Sequence, residues 1–130
     1  MIGLDTGTII DVFRGNENLK VLLEKNKEPL AITIITFLEL HFGLNPDNPK
    51  HTAEALYYDE LFKRVHTIQL NEESCAEASK ISWNLKKEGK TIEKFDCVIA
   101  AQFLMHGVNK IITNNPKHFE RIKGLAVISY

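Results

Sequence analysis

Met1-Ile2-Gly3-Leu4-Asp5-Thr6-Gly7-Thr8 opens the chain with a short apolar run that stops on a carboxylate. Ile2 to Leu4 reads as a buried strand and Asp5-Thr6-Gly7-Thr8 as turn-prone. Ile9, Ile10, Val12 and Phe13 then fall at helical spacing until Arg14-Gly15-Asn16 breaks the pattern. Two more acids sit where an apolar pattern gives way to a helix. Glu39 follows Ala31-Ile32-Thr33-Ile34-Ile35, and Asp96 opens the run Cys97-Val98-Ile99-Ala100-Ala101-Gln102-Phe103-Leu104. A carboxylate beside an apolar core costs several kcal/mol unless something pairs with it. Three of them in the same setting point to one shared partner, and a divalent cation is the simplest.

The rest of the chain continues the alternation. Leu19, Leu22 and Leu23 mark a second short helix, closing near Lys25-Asn26-Lys27, and Pro29 leads into a strand from Leu30 to Ile35. Thr36 to Gly43 has helix character, and Asn45-Pro46-Asp47-Asn48-Pro49 is the clearest loop. Thr52 to Val65 reads as an amphipathic helix and His66 to Leu70 as a strand. Asn71 caps a long helix with apolar contacts from Ala76, Ala78, Ile81, Trp83 and Leu85, and Gly89 stops it. A helix from Asp96 to Met105, a strand from Lys110 to Thr113, a short helix from Pro116 to Arg121 and a strand from Leu125 to Ile128 complete the pattern. The fold class is therefore α/β: a three-layer sandwich with a central, mostly parallel sheet of about five strands. Ligands of such sheets bind outside the carboxyl ends of the strands, the rim where Asp5 and Thr113 lie.

At 130 residues, with neither repeat nor linker, the expectation is a single domain, 1–130. A composition 44% hydrophobic and 25% charged is that of an ordered globular protein. A net charge of −1 excludes a wholesale basic protein, so any nucleic acid must meet a local patch. No apolar stretch reaches the about 18 residues of a spanning helix, and no basic segment precedes an apolar one at the N-terminus. A cytoplasmic protein with no membrane contact is expected. Cys75 and Cys97 lack ligand spacing and read as reduced and buried. No His-x-x-x-His pair points to a zinc enzyme.

Each acid also has a purely structural reading. Thr36-Phe37-Leu38-Glu39 matches a capping box, Asp96 an N-cap, and Asp5 an Asx-turn into Thr6-Gly7. A capping acid still has a second oxygen free for a ligand. Lys86, Lys87, Lys90 and Lys94 cluster before Asp96 as candidate phosphate contacts, although a helix C-terminus favours lysines for its own electrostatics. Arg14 and Arg121 are further candidates. Trp83, between Ile81 and Leu85, reads as core rather than as a platform for a base.

Four segments together resemble the signature segments of PIN-domain ribonucleases, above all the VapC toxins of prokaryotic toxin–antitoxin pairs. They are Met1-Ile2-Gly3-Leu4-Asp5-Thr6; Ile34-Ile35-Thr36-Phe37-Leu38-Glu39-Leu40 with Gly43; Asp96-Cys97-Val98-Ile99-Ala100-Ala101; and Ile112-Thr113-Asn114-Asn115-Pro116-Lys117-His118-Phe119. The resemblance implies an endoribonuclease dependent on Mg2+ or Mn2+, leaving a 5′-phosphate. It makes Asp5, Glu39 and Asp96 the catalytic metal ligands, with Thr6, Thr113 and Asn114 orienting carboxylates or waters around them. It also implies a homodimer, an RNA substrate and a small VapB-like antitoxin, with the Leu19, Leu22, Leu23 stripe and the Ala55-Leu56-Tyr57-Tyr58 helix as contact surfaces, core packing being the default reading for half of each.

The likeness departs at one place. The family usually carries a fourth acid after Thr113, where this chain has Asn114, Asn115 and His118. Asn115 or His118 is a candidate additional ligand, without the negative charge. Glu93 is the nearest acid that would compensate, its other reading being a solvent-facing loop residue. Weaker second-metal occupancy and slower catalysis are the expectation. Two alternatives stay open: a PIN-like binding module that has lost activity, and a structure-specific DNA nuclease. The Asp5-Thr6-Gly7 triplet of aspartic proteases belongs to a nearly all-β fold. The similar phosphate loop of actin-like ATPases needs two lobes, so both are excluded here.

Overall fold

A computed structural model describes residues 1–130. In chain order the elements are β1 (Ile2–Leu4), α1 (Thr6–Phe13), α2 (Glu17–Lys25), β2 (Leu30–Thr33), α3 (Ile34–Phe42), α4 (Thr52–Arg64), β3 (His66–Ile68), α5 (Glu72–Lys87), α6 (Lys94–Met105), β4 (Lys110–Ile112), α7 (Pro116–Phe119) and β5 (Ala126–Ile128), with a 3-10 turn at Pro49–His51. All strand pairings are parallel, in the order β3-β2-β1-β4-β5. The chain thus begins in the middle of its sheet, builds outward to β3, then crosses back to build β4 and β5. The strand order reverses between β1 and β4, which pair through Gly3 with Ile111 and Leu4 with Ile112.

Two apolar clusters fill the space on the two sides of the sheet. One gathers Ala78, Ile81 and Leu85 of α5 with Ile99, Ala100 and Phe103 of α6 and Ile111. The other gathers Ile9, Leu19, Leu40 and Tyr58 against Ile2, Leu4, Ile32 and Ile112. Gly3 matters to the first: a Cβ there would stand 2.6 Å from the Phe103 ring. The missing side chain lets α6 lie against the central strand.

The expected alternation holds, with shifted boundaries. β2 ends at Thr33, two residues short of the predicted Ile35, because the Thr33 hydroxyl accepts a hydrogen bond from the Thr36 amide at 3.2 Å and turns Ile34-Ile35 into the first helical turn. Asp5 caps α1 in the same way, so Thr6 to Thr8 is helix rather than open turn. β3 is three residues, ending at Ile68 instead of Leu70. Asn71 caps α5 as predicted, and Gly89 follows its end at φ +68°.

Three packing expectations are corrected. Trp83 is 58% exposed: the buried face of α5 is Ser74, Ala78, Ile81 and Leu85, and Trp83 lies about 200° around the helix from Ile81. Ala76 is exposed for the same reason. The contact-surface candidates divide as expected: Leu19 and Tyr58 are core, while Leu56 is exposed. Cys75 is exposed, whereas Cys97 is buried, and both are free thiols. No helix is long and apolar enough to cross a membrane.

Candidate functional site

Asp5 stands at the end of β1, where the strand order reverses. As N-cap of α1 it accepts from the Thr8 amide on Oδ1 at 3.0 Å, while Oδ2 accepts from the Thr113 hydroxyl of the β4 end at 2.5 Å. Thr8 adds a bond of its own, donating from Oγ1 to the Ile112 carbonyl at 3.0 Å. The two central strands are therefore joined just beyond their carboxyl ends, with the carboxylate between them.

Glu39 comes from the second turn of α3. The predicted capping box does not form: Thr33 does the capping, and Glu39 Oε1 instead accepts from the Thr6 hydroxyl at 2.7 Å. Asp96 lies in the first turn of α6, which starts two residues earlier than expected and leaves Glu93 at the cap position without a capping bond. Asp96 Oδ2 is 2.9 Å from His118 Nδ1, which also meets the Asn115 amide nitrogen at 2.9 Å.

These side chains share one cleft of about 580 Å³, lined by Asp5, Thr6, Gly7, Glu39, Glu93, Lys94, Phe95, Asp96, Asn114, Asn115 and His118. Burial pushes the Asp5 carboxyl above its ordinary range, against the bonds from Thr113 and Thr8, and Asp96 pushes in the same direction. Glu39 is raised too, first by burial, with the neighbouring Asp96, Asp5 and Glu93 adding to it against the Thr6 bond. The cleft thus sets four carboxylates, Asp5, Glu39, Glu93 and Asp96, against Lys94 and His118.

The donors suit a hard divalent cation: carboxylate and amide oxygens, with one imidazole. No three His, Cys, Asp or Glu groups converge closely enough to hold an ion on their own.

Of the residues singled out in the sequence, Asp5, Glu39, Asp96, Thr6, Asn114, Asn115, His118 and Glu93 line the cleft, and Thr113 stands behind Asp5. Glu93 is both solvent-exposed and on the cleft wall, so its two readings coincide. The basic candidates separate. Lys94 reaches the cleft, but Lys86 lies over Trp83, Lys87 lines a different groove with Lys80 and Lys123, and Arg14 ends α1. Arg121 is spent on the Lys90 and Thr91 carbonyls.

Sequence reasoning missed Gly7, Phe95 and Asp11. A Cβ on Gly7 would fall 2.6 Å from the Asn114 carboxamide oxygen, so a larger residue there would displace that side chain. Asp11 accepts from the Asn114 amide at 3.0 Å and from the Tyr130 hydroxyl at 2.6 Å. Only the fold brings these positions together, since Asn114 is 103 residues from Asp11.

Comparison with known proteins agrees with this geometry. The family model described as the PIN domain matches residues 2–125. Ribonuclease VapC1 of Methanocaldococcus jannaschii is 32% identical over 127 residues, covering 98% of this chain and 85% of the relative. Among solved structures, VapBC-1 from nontypeable Haemophilus influenzae matches at 29% identity and a TM-score of 0.78, covering 99% and 98% of the two chains. VapBC2 from Rickettsia felis, bound to a DNA fragment from its promoter, has the same fold at a TM-score of 0.84 and 22% identity, covering 100% and 99%. By the family match along nearly its whole length, and by its identity to VapC ribonucleases, this chain belongs to the PIN-domain family, among its VapC-type members.

Proposed function

We propose that residues 1–130 form one PIN unit that hydrolyses RNA phosphodiester bonds with Mg2+ or Mn2+, as the toxin of a VapBC-like pair. The observation that carries this reading is the meeting of Asp5, Glu39 and Asp96, from three separate elements, in one polar cleft at the reversal of strand order. A divalent cation bound there would activate water and offset charge on the phosphate. Asp5, Glu39 and Asp96 would hold it, with Asn115 and His118 as further donors. Thr6 fixes the Glu39 carboxylate, Thr113 fixes Asp5, and His118 fixes Asp96. Lys94 offers a cation to the RNA backbone at the cleft's edge.

The VapBC complexes among the solved structures support an antitoxin partner for this chain, and a homodimer and a cytoplasmic setting belong to the same proposal. The replacement of the fourth acid by Asn114, Asn115 and His118 favours one competing reading, a binding module without catalysis.

The deciding experiment uses metal-stripped protein, purified away from host nucleases, with labelled single-stranded RNA and matched DNA, plus Mn2+ or Mg2+. Asp5→Asn and Asp96→Asn variants run in parallel. Metal-dependent RNA cleavage lost in both variants is the expected result. Absence of cleavage by folded protein across several RNAs would move the reading to the binding module, and preferential DNA cleavage to the DNA nuclease.

A further inference from the structure

A second groove, of about 390 Å³, lies between α5 and the start of α6 and shares Lys94 and Phe95 with the acidic cleft. Its wall includes Trp83, Leu70, Cys75, Ser79 and Ser82. Three of its large apolar side chains are unusually open: Trp83 is 58% exposed, Leu70 41% and Phe95 39%. An indole left this far from the core keeps a large apolar face in water, which is favourable only to a partner that covers it. Lys86 sets its ammonium 4.8 Å from the centre of the Trp83 ring, and Lys94 lies on the wall common to the two cavities.

We propose that this groove receives a nucleobase of single-stranded RNA, stacked on Trp83, while the adjoining backbone passes Lys94 into the acidic cleft. The proposal rests on the RNA-cleavage reading and names a substrate contact for it. Four observations converge on a nucleotide. The indole and the Phe95 ring offer π faces to a base. Lys86 and Lys94 supply positive charge for phosphates. Ser79 and Ser82 place hydroxyls on the same wall, where base edges present donors and acceptors. The groove adjoins the cleft proposed to cut the backbone, with Lys94 and Phe95 lining both. A dry protein interface would desolvate both ammonium groups, which a phosphate instead pairs.

Trp83 is the chain's one tryptophan, so intrinsic fluorescence reports on this groove alone. The test titrates Asp96→Asn protein, in chelator, with a short mixed-sequence single-stranded RNA. Binding is followed both by tryptophan emission and by anisotropy of a labelled strand. Saturable quenching is expected. Trp83→Ala in that background should weaken binding about tenfold, and Trp83→Phe should recover most of it. RNA binding that leaves emission unchanged, with Trp83→Ala as tight as its parent, would overturn the proposal. So would emission that shifts to the blue with protein concentration alone and ignores RNA, because the groove would then belong to a second copy of the chain. Parent protein is assayed separately for cleavage. Cleavage without quenching removes the base subsite and leaves the nuclease, while quenching without cleavage does the reverse.

Discussion

The junctions β1–α1 and β2–α3 begin alike, with a parallel strand that turns straight into a helix, yet they use their acids differently. At the first, Asp5 caps the helix itself and is buried to 5% exposure, held by the Thr8 amide and the Thr113 hydroxyl. At the second, Thr33 caps, and Glu39 is half-buried in the next turn with a single bond from Thr6. One carboxylate serves helix and cleft together, whereas the other is free of structural duty. Stability and activity should therefore be coupled at Asp5 and separable at Glu39.

The largest effect expected is on activity. Asp5→Asn and Glu39→Gln should each lower metal-dependent RNA cleavage by about a hundredfold or more, measured as initial rate. Equal losses accompanied by equal unfolding would break the distinction. It is sharpened by Asp5→Ala, which removes cap and Thr113 partner together and should destabilise the fold by about 1–2 kcal/mol in urea titration. Glu39→Ala should change stability far less.

Conversely, Thr33→Ala should cost about 1 kcal/mol of stability through the lost α3 cap. Thr6→Val should instead reduce cleavage about tenfold, the effect of loosening a ligand's support, with little change in the urea midpoint.

A smaller effect concerns pH. Asp5 and Glu39 are both raised in the folded state, Asp5 chiefly by burial. Such carboxyls favour folding most when protonated, below their unfolded range, and that contribution disappears as pH rises through the raised folded values. Metal-free protein should thus lose thermal stability as pH climbs out of the ordinary carboxylate range. Asp5→Asn should flatten the profile, and Mn2+ should raise the midpoint of the parent at neutral pH. A parent profile identical to that of Asp5→Asn would sink the assignment. Least of all, Lys94→Gln should weaken RNA binding a few-fold and without regard to sequence, read from the salt dependence of affinity.

Strand–helix alternation was legible because it depends on local patterning: Ile2 to Leu4, Leu30 to Thr33 and Lys110 to Ile112 are apolar runs bounded by caps or turns. Asp5 was legible for the same reason, but Glu39 lies a turn beyond the end of β2 and Asp96 opens a helix that follows α5 with no strand between. What was misread depended on competition or on distance. Thr33 and Thr36 were rival caps one turn apart, and pattern alone did not rank them. Trp83 sits between two core residues in sequence, but helical geometry turns it outward. The lysines adjacent in sequence to Asp96 part once α5 ends and α6 begins: Lys94 lines the cleft, Lys86 lies over Trp83, and Lys87 lines a separate groove. Asp11, Asn114 and Tyr130 meet only because β5 returns beside β4.

The Asp5–Thr113 bond joins residues 108 positions apart. During synthesis at about 5–20 residues per second, the first strand therefore waits roughly 5–20 s for the partner that secures its carboxylate. Neither β4 nor the Asn114–His118 wall of the cleft exists for most of that time. Contacts so remote in sequence also slow the final closure of the sheet. The acids are made in sequence, but the cleft that gathers them is completed only when β4 and the Asn114–His118 segment have joined the sheet.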